Sequence, residues 1–295
     1  MRLVTFEADG AWRAGIALDD VVIDTEAAAG AADLDESGPT GSGWSSNRAV
    51  IQADDRTRAA LAEAAGQLRS SAMPLASVHL GPPIPDPDKI LFMGLNYRDH
   101  AEESGLPLPA VPLFFAKFRN SLIGPADDIV LPAASEQVDY EAELAVVIGQ
   151  RCRDVPVERA LDYVAGAMAL NDVSARDLQL QVSQWTMGKA IDTFAPCGPA
   201  LALLDELSDL QGLGIRARVN GRTLQDADTS LMVFGVAQAV AHLTSVMTLE
   251  PGDIISTGTP AGVGMSRDPQ VWLHGGDVVE IEIDDIGALR NPVRG

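Results

Sequence analysis

The segment VDYEAELAVVIG, residues 138 to 149, limits what this chain can fold into more than any other stretch. Its second half, Leu144 to Ile148, is an unbroken apolar run of the kind found in strands buried on both faces. Side chains alternate along a strand, so Asp139, Glu141 and Glu143 project together, and Ala145 and Val147 continue that face. An isolated alternation of acids is ordinarily a solvated strand face. A second acid in a similar setting argues otherwise. In LDYVAGAMALNDVSARDLQ an apolar segment runs into Asn171-Asp172 and then into a helix, where Asp172 alone would serve as a cap. Taken together, three carboxylates at the ends of buried strands make a hard, oxygen-rich cage suited to Mg²⁺ or Mn²⁺. Zinc would call for Cys or His. Without a cation, carboxylates crowded in this way repel and raise one another's pKa.

Around this strand the chain divides unevenly. Residues 3 to 25 have the pattern of a small antiparallel meander, turning at Asp9-Gly10 and Asp19-Asp20. Residues 30 to 47 are loop-like, and 49 to 69 carry alanine-rich helical periodicity. GPPIPDPD, residues 81 to 88, has four prolines in eight positions and marks a boundary. Beyond it come strand-like runs such as ILFMGL, DIVL, LAVVIG, DIIST and VVEIEI. Helices are expected at about 156 to 163, 174 to 182 and 233 to 246. The expectation is an α+β, mostly β chain: a small N-terminal α/β domain (1–80), a Pro-rich linker (81–88) and a catalytic domain (89–295). At 295 residues there is length for that division.

The net charge of -21 argues against nucleic acid and against an anionic membrane as partners. No stretch approaches the roughly 20 apolar residues of a membrane helix. The first residues, MRLVTFEADG, lack the apolar core of a secretory signal, so a cytoplasmic location is expected. Cys152 and Cys197 have neither a bridge framework nor zinc spacing and are expected to be reduced packing residues. Only three of the 21 basic residues are lysines: Lys89, Lys117 and Lys189.

Three further stretches carry chemistry. In GLNYRDHAEESG, His100 and Glu103 are three apart and would share a face of a short helix. A carboxylate on one ring nitrogen fixes the tautomer and leaves the other nitrogen to take a proton, although an ordinary surface histidine is the simpler account. In QWTMGKAIDTFAPCGP, Lys189 follows a glycine, from where a long cation could reach into a pocket. In PGDIISTGTPAGVG a strand runs into Thr257, Gly258 and Thr259, a weak signal for an anion cradle.

These motifs, with PLFFAKF, VDYEAELAVVIG, NDVSARDLQ and VNG, resemble in order those of the fumarylacetoacetate hydrolase family over about residues 89 to 291. The resemblance implies a mixed β-sandwich or roll, a homodimer, and Mg²⁺ or Mn²⁺ as cofactor, with Ca²⁺ as a substitute in crystals. It implies that Glu141, Glu143 and Asp172 hold the metal and that His100 and Glu103 activate water within a short lid helix. Lys189 matches the substrate-binding lysine, with a catalytic role. Arg176 and Gln179 match substrate contacts, and Thr259 lies in the loop facing the substrate carboxylate. An acidic ligand found upstream of the histidine in fumarylacetoacetate hydrolases proper has no counterpart in Gly94 to Tyr97, which points to the acylpyruvase-like branch.

The implied activity is hydrolysis of a C–C bond in an acylpyruvate, a small anionic 2,4-dioxo acid, with pyruvate enolate leaving. Oxaloacetate decarboxylation, or isomerisation of a 2-hydroxyhepta-2,4-diene-1,7-dioate, would use the same cage. A non-catalytic metal-dependent binding protein would be expected to lack a ligand or dyad residue, and none is missing.

Overall fold

The computed structural model describes residues 1–295. The strand Ala142–Ile148 is buried at every position. It pairs antiparallel with Val164–Asn171 on one side and with Ile254–Ser256 on the other. Its side chains divide between two cores. Leu144, Val146 and Ile148 enter a cluster of 37 buried residues, while Ala145 and Val147 enter one of 26. This is why the run is apolar without a break: there is no solvent on either face.

The larger core lies between this sheet and a five-stranded sheet that includes Gly214–Val219, Val278–Ile283 and Gly287–Arg294. The strands Gly214–Val219 and Val278–Ile283 alternate buried and half-buried residues, as strands with one covered face should. On the opposite face of the long sheet, the helices Thr25–Ala31, Asn47–Gln52 and Asp55–Gln67 supply Ala28, Val50, Leu61 and Ala65 to the second core. The result is three layers: sheet, sheet and helices. The fold is the expected α+β, strand-rich one. No helix is long and apolar enough to cross a membrane.

The N-terminal residues are joined to the main sheet by backbone pairing. Arg2–Ala8 pairs antiparallel with Ala195–Leu203, bringing Arg2 opposite Ala202 and Leu3 opposite Leu201. The proline-rich run that follows is largely buried, with Ile84 1% exposed. The carbonyl of Pro83 accepts hydrogen bonds from Thr5 Oγ1 and Asn47 Nδ2, both at 2.9 Å.

One element differs from its sequence pattern in a way that matters. Residues 174 to 182 do not form one helix. Ser174–Ala175 is a short strand, paired antiparallel with Val138–Asp139, and Arg176–Gln179 is a single helical turn. The pairing sets Asp139 opposite Ser174, and so beside Arg176.

Candidate metal centre and active site

The antiparallel register aligns Ala142 with Asn171, so two strand ends meet at one edge of the sheet. Glu141 and Glu143 come from the start of one strand and Asp172 from the end of the other. Two hydrogen bonds fix the junction: Glu141 N donates to Asn171 Oδ1 (3.0 Å), and Asp172 N donates to the Glu141 carbonyl (2.9 Å). One carboxylate oxygen from each of Glu141, Glu143 and Asp172 lies within 4.8 Å of the other two, and all three residues are buried.

Three buried cations surround the group. Lys189 Nζ is 2.7 Å from both Glu141 Oε2 and Asp172 Oδ2. Lys117 Nζ is 2.5 Å from Asp172 Oδ1 and donates to the carbonyls of Val173 (2.9 Å) and Phe194 (2.6 Å). Arg176 Nη2 is 2.6 Å from Glu141 Oε1, and its Nε is 2.9 Å from Asp139 Oδ2. Both ammonium groups also sit over aromatic rings, Lys117 over Phe92 (5.2 Å) and Lys189 over Phe115 (5.1 Å).

Four carboxylates thus face three cations, and the uncompensated charge falls on Glu143. Its Oε2 accepts from Ser256 Oγ (2.5 Å) and Gly258 N (3.1 Å), and no cation pairs with it. Burial, and then the charges of Asp172 and Glu141, push its carboxyl well above the ordinary range. Burial alone would lift Glu141 too, but Lys189 and Arg176 together hold it well below that range. Burial depresses the Lys117 ammonium to about 8 even beside Asp172. An oxygen-only donor set with one unmatched negative charge fits a hard divalent cation such as Mg²⁺ or Mn²⁺.

His100 lies on the short helix Arg98–Glu103, and its Nδ1 is 2.8 Å from Glu103 Oε1. Glu103 is itself held, because Gly262 N donates to its Oε2 at 2.9 Å. A carboxylate that accepts the Nδ1 proton leaves Nε2 as the basic nitrogen. A cavity of about 210 Å³ brings His100 together with Glu141, Glu143, Asp172 and Lys189. Arg176, Gln179 and Thr259 line it as well, with Phe115 and Trp185 among its apolar walls. Of the nine residues that the family resemblance assigns to the site, only Glu103 does not line the cavity directly; it stands behind His100.

The roles of two residues named from the sequence emerge only in the structure. Lys117 is 2% exposed and holds Asp172, yet LFFAK looks like an ordinary strand end. Its rarity, as one of three lysines, was the available signal. Asp139 does not join the carboxylate cage; its strand ends at Asp139, and its side chain turns to Arg176 and to the amides of Gly264 and Met265.

Residues 89–294 match the family model described as "Fumarylacetoacetate (FAA) hydrolase C-terminal". Among similar sequences, the mitochondrial oxaloacetate tautomerase of Xenopus laevis is 47% identical over 220 residues, 74% of this chain and 69% of that protein. Among solved structures, a maleylpyruvate hydrolase from Sphingobium sp. SYK-6 aligns with a TM-score of 0.78 at 34% identity, covering 100% of this chain and 99% of that one. A 2-hydroxyhepta-2,4-diene-1,7-dioate isomerase from Mycobacterium marinum aligns with a TM-score of 0.74 at 34% identity, covering 100% and 98%.

Proposed function

The chain belongs to the fumarylacetoacetate hydrolase family, and from that premise we propose that it interconverts the enol and keto forms of a small 2-oxo dicarboxylic acid of the oxaloacetate type. The observation that carries this reading is the size and furnishing of the cavity. At about 210 Å³ it falls below the roughly 300–1,000 Å³ of sites that take larger ligands, and it contains a base beside the carboxylate cluster. A four-carbon diacid suits such a volume better than an acylpyruvate with a long tail. The likeness to an oxaloacetate tautomerase supports the same choice.

Glu141, Glu143 and Asp172 would hold a divalent cation, which when bound supplies Lewis-acid stabilisation of negative charge at the 2-oxo oxygen. The chain's own groups do the rest. Glu103 keeps the His100 ring oriented, and His100 Nε2 takes the proton from C3 of the keto form, leaving an enolate whose C2 oxygen gains a proton from a water molecule. In reverse the enol hydroxyl gives its proton to water and His100 returns one to C3. Lys189 and Arg176 bring positive charge to a cavity in a chain of net charge -21. Phe115, Trp185 and Leu106 exclude bulk water around the reacting carbon.

Hydrolysis of an acylpyruvate is the second reading. The same dyad can take its proton from water, and a maleylpyruvate hydrolase shares the fold over its whole length. A product-resolved assay on metal-loaded protein separates the two. Oxaloacetate ketonisation should be accelerated, with acetylpyruvate cleavage and pyruvate release from oxaloacetate far slower. Rapid cleavage of acetylpyruvate with no effect on oxaloacetate would reverse the order.

A further inference from the structure

Asp139 is the acid that the cage leaves out. It is fully buried and accepts from four donors: Tyr140 N (2.8 Å), Gly264 N (2.7 Å), Met265 N (3.1 Å) and Arg176 Nε (2.9 Å). Gly264 permits this approach, since a Cβ there would meet Asp139 Oδ1 at 2.7 Å and the Val271 carbonyl at 1.9 Å. With Nε on Asp139 and Nη1 on Gln179 Oε1 (3.0 Å), the planar guanidinium of Arg176 cannot rotate. Its remaining edge, Nη2, faces Glu141 at the cavity wall.

The next residue works on the same loop. Tyr140 Oη donates to the Gly262 carbonyl at 3.0 Å, and Gly262 N holds Glu103 Oε2 at 2.9 Å. One dipeptide therefore grips the cavity's arginine on one side and, on the other, the loop to which the dyad's carboxylate is tied.

We propose that Asp139 is a positioning residue that presets Arg176 as the anion-binding face of the cavity, while Tyr140 keys the 262–265 loop that orients Glu103. This deepens the functional reading, because it rests on a small dianion as substrate. A guanidinium locked before the ligand arrives loses little freedom on binding, whereas a loose one would give up that freedom as the anion bound.

The test uses full-length protein at saturating Mn²⁺ and oxalate, the smallest dianion that presents two adjacent carboxylate groups, measured by calorimetry. Asp139→Asn turns a donor toward Arg176 Nε and is expected to raise the oxalate Kd at least about 10-fold. In an Arg176→Met background the same change should shift Kd less than about 2-fold, because the two act as one unit. An unchanged Kd in folded Asp139→Asn, or an equal loss in both backgrounds, overturns the proposal. Should Asp139→Asn not fold, Arg176→Lys keeps the charge without the fork. A similar loss of oxalate binding supports the proposal, and wild-type affinity overturns it. Tyr140→Phe should lower kcat with the oxalate Kd unchanged; an unaltered kcat removes the loop arm. Oxalate binding is read without turnover, so a wild-type protein that does not act on oxaloacetate rejects the functional reading and leaves the Asp139 result standing.

Discussion

Glu143 alone among the clustered carboxylates has no cationic neighbour, so its replacement separates metal binding from folding. Glutamine retains an oxygen for Ser256 Oγ and Gly258 N and removes a buried charge. Metal-free Glu143→Gln should therefore be at least as heat-stable as the wild type, while its divalent affinity falls by more than about 10-fold. Thermal unfolding with and without Mn²⁺ checks this, and an equal Mn²⁺ stabilisation of both proteins would contradict it. His100→Gln should keep Mn²⁺ affinity and lose about 10²- to 10⁴-fold in turnover, the range of a removed general base. Turnover within a few-fold of wild type would exclude His100 as that base. That Glu141 and Glu143 share a face could be read from the chain because alternation and apolar flanks fix where strand side chains go, whereas the choice of Asp172 rather than Asp139 as their companion came from the family resemblance. Asp139 could not, since its partner Arg176 arrives through a two-residue strand pairing that no local pattern announces.

At the scale of elements, the strand Ala142–Ile148 fixes the site, because it carries Glu143 and is gripped by cores on both faces. Leu144 is the first side chain after Glu143 and is fully buried. Leu144→Ala should cost about 2–5 kcal/mol, read as a lower urea midpoint at constant slope. A loss below about 1 kcal/mol would show that the site can collapse around the gap. The same physics explains which elements the sequence displayed. A run buried on both faces announces itself by composition, as here. The stretch 174 to 182 looks helical by periodicity, but pairing with Val138–Asp139 draws its first two residues into a strand and leaves one helical turn. That pairing is tertiary and leaves no periodic trace.

At the scale of the molecule, the N-terminal residues are held to the rest by the Arg2–Ala8 seam and by a histidine clamp. His79 Nδ1 lies 3.0 Å from Glu7 Oε2, and Nε2 lies 2.6 Å from Asp127 Oδ1. The hydrogen bond to Asp127, and then that to Glu7, raise the imidazole above its ordinary 6.5. A raised pKa means that the clamp's stabilisation is complete below about 6.5 and is lost as pH climbs through the folded value. Wild-type Tm should thus fall more steeply than that of His79→Gln as pH rises above about 6.5, with the effect kept small by solvent at this half-exposed site. Parallel slopes would dismiss the clamp. The whole account, however, depends on one ion shared by Glu141, Glu143 and Asp172. Anomalous diffraction from crystals of the Mn²⁺-loaded protein tests this most directly. It should give a single peak about 2.1 Å from one oxygen of each carboxylate, with Lys189 displaced from at least one of them. No peak there at saturating Mn²⁺, or a peak touching only one of the three, would contradict it.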